Sequence, residues 1–140
     1  MHQIELLQKL RHVSVLIVDD DEDVRWSLKE ILLSTPRFEF EVLEATNAKD
    51  GAKFFEEHHP DLILLDVNLP DVNGVKLLQG IIKKYSSANV IMVSGIERER
   101  LLKETRFLGS KEFICKPFDH RIVLNTIAKV IDKSPTYMDI

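Results

Sequence analysis

The sequence predicts an α/β doubly wound parallel sheet, and three observations carry that reading. Short, almost uninterrupted apolar runs recur at residues 13–18 (VSVLIV), 62–65 (LILL) and 90–93 (VIMV), as strands covered on both faces require. Amphipathic helical patterns alternate with strand candidates five times, the signature of repeated strand–helix units. The 140 residues are 44% hydrophobic and 30% charged, the length and balance of one globular domain. A chain of this size buries about 68–70% of its unfolded surface, so a core is available.

The elements follow in order. After the first strand, Val24, Leu28, Ile31 and Leu32 fall at i, i+4, i+7 and i+8, one stripe of a helix. In residues 38–42 (FEFEV) apolar and acidic residues alternate, which predicts a half-exposed strand at a sheet edge. Ala48, Ala52 and Phe55 make a second helical stripe, and Val75, Leu78 and Ile82 a third after the LILL strand. Leu101, Leu102, Thr105 and Leu108 form a weaker fourth stripe in a highly charged segment. Residues 111–115 (KEFIC) are a second edge candidate, and Ile122, Ile127, Val130 and Ile131 close the series. Asn73 and Asp119 stand where N-caps are needed. His58 and His59 end the second helix as surface residues that complement its dipole.

Residues 13–133 are expected to form the domain, residues 1–12 an N-terminal extension with a short helix, and residues 134–140 (SPTYMDI) a tail or the start of a linker. The net charge of −4 speaks against direct nucleic-acid binding. A lone Cys115 excludes an intramolecular disulfide and a Cys-rich zinc site. Residues 1–10 lack the apolar core of a signal peptide, and no apolar run approaches the ~20 residues that cross a bilayer. A cytoplasmic protein without membrane contact is the expectation.

Chemistry gathers at the carboxyl ends of the strands. The first strand runs into Asp19-Asp20-Asp21-Glu22-Asp23, and the LILL strand runs into Asp66. Ligands of open α/β sheets sit beyond those ends. Asp21, Glu22 and Asp23 are accounted for by a helix start, which draws acidic residues. Asp19, Asp20 and Asp66 are not, because two separate strands deliver them. If the two strands are neighbours, the three carboxylates repel unless a cation neutralises them, and an all-oxygen donor set suits Mg²⁺. An EF-hand match at Asp19, Asp21, Asp23 and Glu30 fails, since Val24 stands where that loop needs Gly. Ser94 and Lys116 follow two further strands. Each alone is ordinary; together with three acids they supply what holds a phosphoryl group, namely a metal site, an ammonium, a hydroxyl and a carboxylate nucleophile.

At this point the chain resembles the receiver domain of bacterial two-component response regulators, the chemotaxis-type receiver fold. The matching segments are VLIVDDDEDVR (residues 15–25), DLILLDVNLPDVNG (61–74), VIMVSG (90–95) and FICKPF (113–118), in the family's order. The resemblance covers residues 13–133. It implies a flavodoxin-like sheet of five parallel strands in the order 2-1-3-4-5, with helices on both faces, an order carried over from the family rather than derived. It also implies that Asp66 is the phosphoacceptor, accepting a phosphoryl group from a sensor histidine kinase or phosphotransfer protein. Mg²⁺ would be held by Asp20, Asp66 and the backbone carbonyl of Asn68, with Asp19 acting mainly through water. Ser94 takes the hydroxyl position, Lys116 pairs with phosphoryl oxygens, and Pro117 is expected to follow a cis peptide bond, a form open essentially only before proline. Phe113 stands where the family has a switching aromatic, often Tyr, and lacks the hydroxyl.

The carboxylates of Asp19, Asp20 and Asp66 total −3 and Mg²⁺ with Lys116 totals +3; a phosphoryl group adds about −1.5 to −2. Recruitment of Ser94 would vacate space for Phe113 and repack helix four, strand five and helix five, a surface suited to a phosphorylation-dependent homodimer or a downstream effector. The product is a conformation, so the domain is expected to be a phosphoacceptor that assists its own phosphorylation and dephosphorylation rather than an enzyme. A haloacid-dehalogenase-type phosphatase would have a second Asp where Asn68 stands, and would need room for a cap. A flavodoxin-like FMN carrier is disfavoured because residues 19–23 would repel its phosphate. A receiver that is never phosphorylated remains the third alternative, although no site position is substituted. Finally, Trp26 and Leu33 fall on the side of the first helix opposite its apolar stripe. Paired apolar exposure including the only Trp predicts a docking patch for the kinase or phosphotransfer partner.

Overall fold

The computed structural model describes residues 11–133. The helix expected within residues 1–12 and the tail at 134–140 therefore lie outside the described residues, except that Arg11 and His12 already belong to the first strand. The elements are β1 (Arg11–Val18), α1 (Glu22–Ser34), β2 (Phe38–Ala45), α2 (Ala48–His58), β3 (Leu62–Asp66), α3 (Gly74–Lys84), β4 (Val90–Ser94), α4 (Arg98–Phe107), β5 (Glu112–Cys115) and α5 (His120–Lys133). The strands form one sheet in the order β2-β1-β3-β4-β5, every neighbouring pair parallel. This is the expected doubly wound architecture.

Strand alternation sorts the core into two layers. Val13, Val15, Ile17, Leu62, Leu64, Ile91, Val93 and Ile114 pack against α1 and α5. The intervening Leu16, Val18, Ile63, Leu65, Val90 and Met92 pack against α2, α3 and α4. Both faces of the central strands are therefore dry, with each fully buried aliphatic side chain worth about 1.5–3 kcal/mol. The edges behave as their patterns predict. In β2, Phe38 and Phe40 are buried while Glu39 and Glu41 are exposed, and in β5 only Ile114 is buried.

Three helical faces differ from the expected stripes. In α3 the buried line is Gly74, Leu77, Leu78 and Ile81, with Val75 and Ile82 only half-buried. The apolar arc of α3 is broader than one stripe, and Gly74 against β3 selects its centre. In α2, Gly51 rather than Ala52 faces inward, because a Cβ there would come within 3.1 Å of Val18 and 3.2 Å of Leu77. In α5, Ile122 is 50% exposed and Val123 takes its place beside Ile127, Val130 and Ile131. Positions 123, 127, 130 and 131 share one stripe, and Ile122 lies about 100° away from Val123. Caps fall where expected: Asn73 Oδ1 accepts from Val75 N at 2.8 Å and Asp119 Oδ1 from Ile122 N at 2.9 Å. His59 closes α2 in the left-handed region (φ 45°), its N–H donating to Phe55 O, and both His58 and His59 are exposed.

Candidate phosphoacceptor site

Strand register brings the site together. Val18 pairs with Leu65, so the next residues, Asp19 and Asp66, end adjacent strands at the same level. Asp66 pairs with Val93 and Ser94 with Cys115, which sets Ser94 and Lys116 at the same end of the sheet. One carboxylate oxygen each from Asp19, Asp20 and Asp66 lies within 4.8 Å of the others. Asp19 and Asp66 are buried, whereas Asp20 is exposed.

Lys116 is the cation of the cluster. Its ammonium lies 2.9 Å from Asp19 Oδ2 and 3.5 Å from Asp66 Oδ1. Burial, and then the charge of Asp19, push the Asp66 carboxyl up from its ordinary 3.8 to about 6, against the smaller opposing pull of Lys116. Burial draws Lys116 down, but its hydrogen bond to Asp19 and the charges of Asp19 and Asp66 outweigh that and leave it raised. One ammonium among three carboxylates leaves an excess of negative charge on oxygen donors, which fits a hard divalent cation. The Lys116–Pro117 peptide bond is cis.

The two loops beside Asp66 and Ser94 supply the rest. Asn68 N donates to Asp66 Oδ1 at 3.3 Å, which places the Asn68 backbone beside the nucleophile candidate. Gly74 N donates to Val67 O at 2.7 Å, and a Cβ on Gly74 would lie 2.0 Å from the Asp66 carbonyl oxygen. Only glycine permits α3 to start this close to β3. Asp71, from the same loop, caps α2 across a gap: its carboxylate accepts from Ala48 N at 2.9 Å and Lys49 N at 3.0 Å. Those bonds hold its carboxyl below the usual range. The sequence held no signal for this role, because Asp71 and Ala48 are 23 residues apart.

Ser94 is buried, and its hydroxyl accepts from Ile96 N at 3.4 Å. Phe113 is half-buried on the side of α2–α4. Trp26 and Leu33 are 63% and 55% exposed on α1. A shallow groove of about 440 Å³ lined by Asp23, Val24, Ser27, Lys116, Pro117 and Phe118 runs from α1 to the β5–α5 loop.

The family profile of the response regulator receiver domain matches residues 15–128. The chain belongs to the response regulator receiver domain family. The chemotaxis protein CheY of Bacillus subtilis is 34% identical over 119 residues, spanning 84% of this chain and 97% of that protein. A CheX–CheY–BeF3–Mg²⁺ complex from Borrelia burgdorferi superposes with a TM-score of 0.79 at 30% identity, covering 85% of this chain and 89% of that one. The transcriptional regulatory protein DegU of Brevibacillus brevis is 27% identical over 90% of this chain, which spans only 52% of it. The receiver fold and two-component signalling role expected from the motifs are thereby established, and neither the phosphatase nor the never-phosphorylated receiver alternative is favoured. Receivers of this family are signalling phosphoacceptors that work with histidine kinases and effector domains. Among the described residues no helix is long and apolar enough to cross a membrane.

Proposed function

We propose that this receiver accepts a phosphoryl group on Asp66 and that Asp20, Asp66 and the Asn68 carbonyl hold Mg²⁺, with Asp19 acting through water. The convergence of three carboxylates from two strand ends on one lysine is the observation that carries the reading. Bound there, Mg²⁺ would offset the negative charge that accumulates between carboxylate and phosphoryl oxygens. An Asp66 carboxylate oxygen attacks phosphorus, a P–O bond forms, and the P–N bond to the donor imidazole breaks with its electron pair leaving on nitrogen. Lys116 turns from Asp19 and Asp66 to the new phosphoryl oxygens, and Ser94 donates its hydroxyl to another. The same groups would assist hydrolysis of the acyl phosphate.

Ser94 must then release Ile96 N, and Phe113 follows into the vacated space, repacking the α4–β5–α5 face. That face would carry the output to an effector domain or protein, or to a second copy as a phosphorylation-dependent homodimer. Trp26 and Leu33 would dock the histidine kinase or phosphotransfer partner; they lie on the same helix as Asp23, Val24 and Ser27, which line the groove that reaches Lys116. A cytoplasmic setting and the absence of direct nucleic-acid contact complete the reading.

Intact-mass analysis with a small acyl-phosphate donor and Mg²⁺ tests it. One phosphoryl group should add to the wild type and none to Asp66→Asn; equal labelling of both removes the assignment. Ser94→Ala should stay folded and labelled yet lose the phosphorylation-dependent spectral shift. Trp26→Ala should slow transfer from the protein partner while small-donor labelling stays normal.

A further inference from the structure

Asp19 and Asp20 are adjacent and chemically identical, but the protein holds them by different means. The Asp19 carboxylate accepts from Asp21 N at 2.9 Å and from Lys116 Nζ at 2.9 Å. The Asp20 carboxylate is exposed and has no hydrogen-bond donor among the described residues. With no side-chain bond to hold it, the direction of its Cα–Cβ bond depends on how its backbone is held.

That backbone is gripped from outside the strand. Arg25, on the second turn of α1, donates from Nη1 to the Asp19 carbonyl oxygen at 2.8 Å and from Nε to Glu44 Oε1 at 3.2 Å. The Arg25 side chain is only 13% exposed. On the other side of Asp19, its N–H donates to Ala45 O at 3.0 Å. The Asp19 carbonyl and the Asp20 N–H share one planar peptide unit, so a fixed carbonyl fixes the plane from which the Asp20 Cα–Cβ bond departs. A guanidinium suits the task because its rigid fork presents two donors at once, one to a carbonyl and one to a carboxylate. Lysine carries the same charge on one nitrogen and lacks that geometry.

We propose that Arg25 is a positioning residue for the metal site, clamping the Asp19–Asp20 peptide against β2 so that the Asp20 carboxylate is aimed at the ion. The inference rests on the reading that Asp19, Asp20 and Asp66 hold Mg²⁺, and it adds a residue that touches neither ion nor phosphoryl group.

The test is calorimetric Mg²⁺ titration of the full 140-residue chain, with the Asp20 amide resonance followed in parallel. Arg25→Lys should weaken Mg²⁺ affinity about tenfold and shift the Asp20 amide, as loss of a group that orients a ligand does. Labelling by a small donor should need more Mg²⁺ but recover at saturation. Glu44→Gln leaves the Arg25–Asp19 bond in place and should keep the affinity within about twofold. Unchanged affinity in Arg25→Lys, with only a lower melting temperature, makes Arg25 a structural residue and overturns the proposal. Equal weakening in Glu44→Gln overturns it as well, because the ion pair and not the carbonyl clamp would then be responsible. If Arg25→Lys does not fold, Arg25→Gln is read by the same titration. Wild type and Asp20→Asn separate the two levels: a wild type that binds no Mg²⁺ defeats the metal reading, whereas loss only in Asp20→Asn defeats the role of Arg25 alone.

Discussion

The loop from β3 to α3 and the loop from β4 to α4 flank the same site and are built in opposite ways. The first, running from Asp66 to Gly74, is pinned at several points. Asp71 caps α2, Asn73 caps α3, and Gly74 lies against the Asp66 backbone. The second, from Ser94 to Glu97, is exposed at Gly95, Ile96 and Glu97; its ends are anchored, Ser94 O accepting from Lys116 N and Glu97 O from Leu101 N, each at 2.9 Å, but between them it shows only the long bond from Ile96 N to Ser94 Oγ at 3.4 Å. Its last residue, Glu97, starts α4 in the left-handed region at φ 45° with no side-chain cap, held by an ion pair to Arg100. Left-handed backbone costs a non-glycine residue about 1–2 kcal/mol. The proposed phosphoacceptor, Asp66, is thus mounted on a rigid support, while the hydroxyl that would sense the phosphoryl group sits at the head of a segment with few bonds to break. Low local stability beside a site is where a switch is drawn from.

Breaking the rigid loop should have the largest effect. Gly74→Ala forces a Cβ to 2.0 Å from the Asp66 carbonyl, and we expect a loss of about 3 kcal/mol in urea unfolding, the upper range of overpacking penalties. Labelling at Asp66 should fall with it. A value near zero would mean that the β3–α3 loop is not rigid.

The next effect has the opposite sign. In metal-free protein the Asp66 carboxyl titrates at about 6 when folded and near its ordinary 3.8 when unfolded. Above both values the folded state carries the penalty of a buried charge; as pH falls through the folded value that penalty is relieved, and below both it is gone. The contribution of this group therefore makes the protein more stable between neutral pH and about pH 4 as acid is added. Asp66→Asn should remove the dependence and stabilise the metal-free protein at neutral pH by about 3 kcal/mol.

Glu97→Gly sharpens the comparison from the loose side. Relief of the left-handed backbone, offset by the flexibility of glycine, should stabilise by about 1 kcal/mol in urea unfolding. Destabilisation of that size would show that the Arg100 ion pair, not the strain, dominates the loop.

Asp71→Ala gives the smallest effect. The amides of Ala48 and Lys49 should exchange about several-fold faster, the first turn of α2 having lost its acceptor. The carboxyl of Asp71 is held below its ordinary value, so its contribution is present above the unfolded value and is lost as pH falls through the folded one. The wild-type and variant exchange rates should converge in acid.

Much of this molecule was legible in one dimension. The apolar runs located the three central strands because burial on both faces leaves no room for alternation. The alternating FEFEV segment marked an edge, and carboxylates after two strands located the site. Less legible were contacts between distant segments. Arg25 could be read as part of a motif, but not as the ligand of a carbonyl six residues back and a glutamate 19 residues ahead. Asp71 lies in a loop, and its partners on α2 are brought beside it only by the fold. The apolar arc of α3 exceeds one face, so periodicity alone does not choose the rotation that buries Leu77 and Ile81.

What the sequence determined by itself was period and composition: which segments are strands, which are helices, and which end of the sheet is acidic. Those follow from local repeats of two and 3.6 residues and from the order of residues at strand ends. Only the tertiary structure decided that Asp19 is buried and Asp20 exposed, that glycine alone fits at position 74, and which face of α3 and α5 turns inward. Each of those depends on a neighbour brought in by strand register and layer packing, and no local pattern encodes the distance to a neighbour.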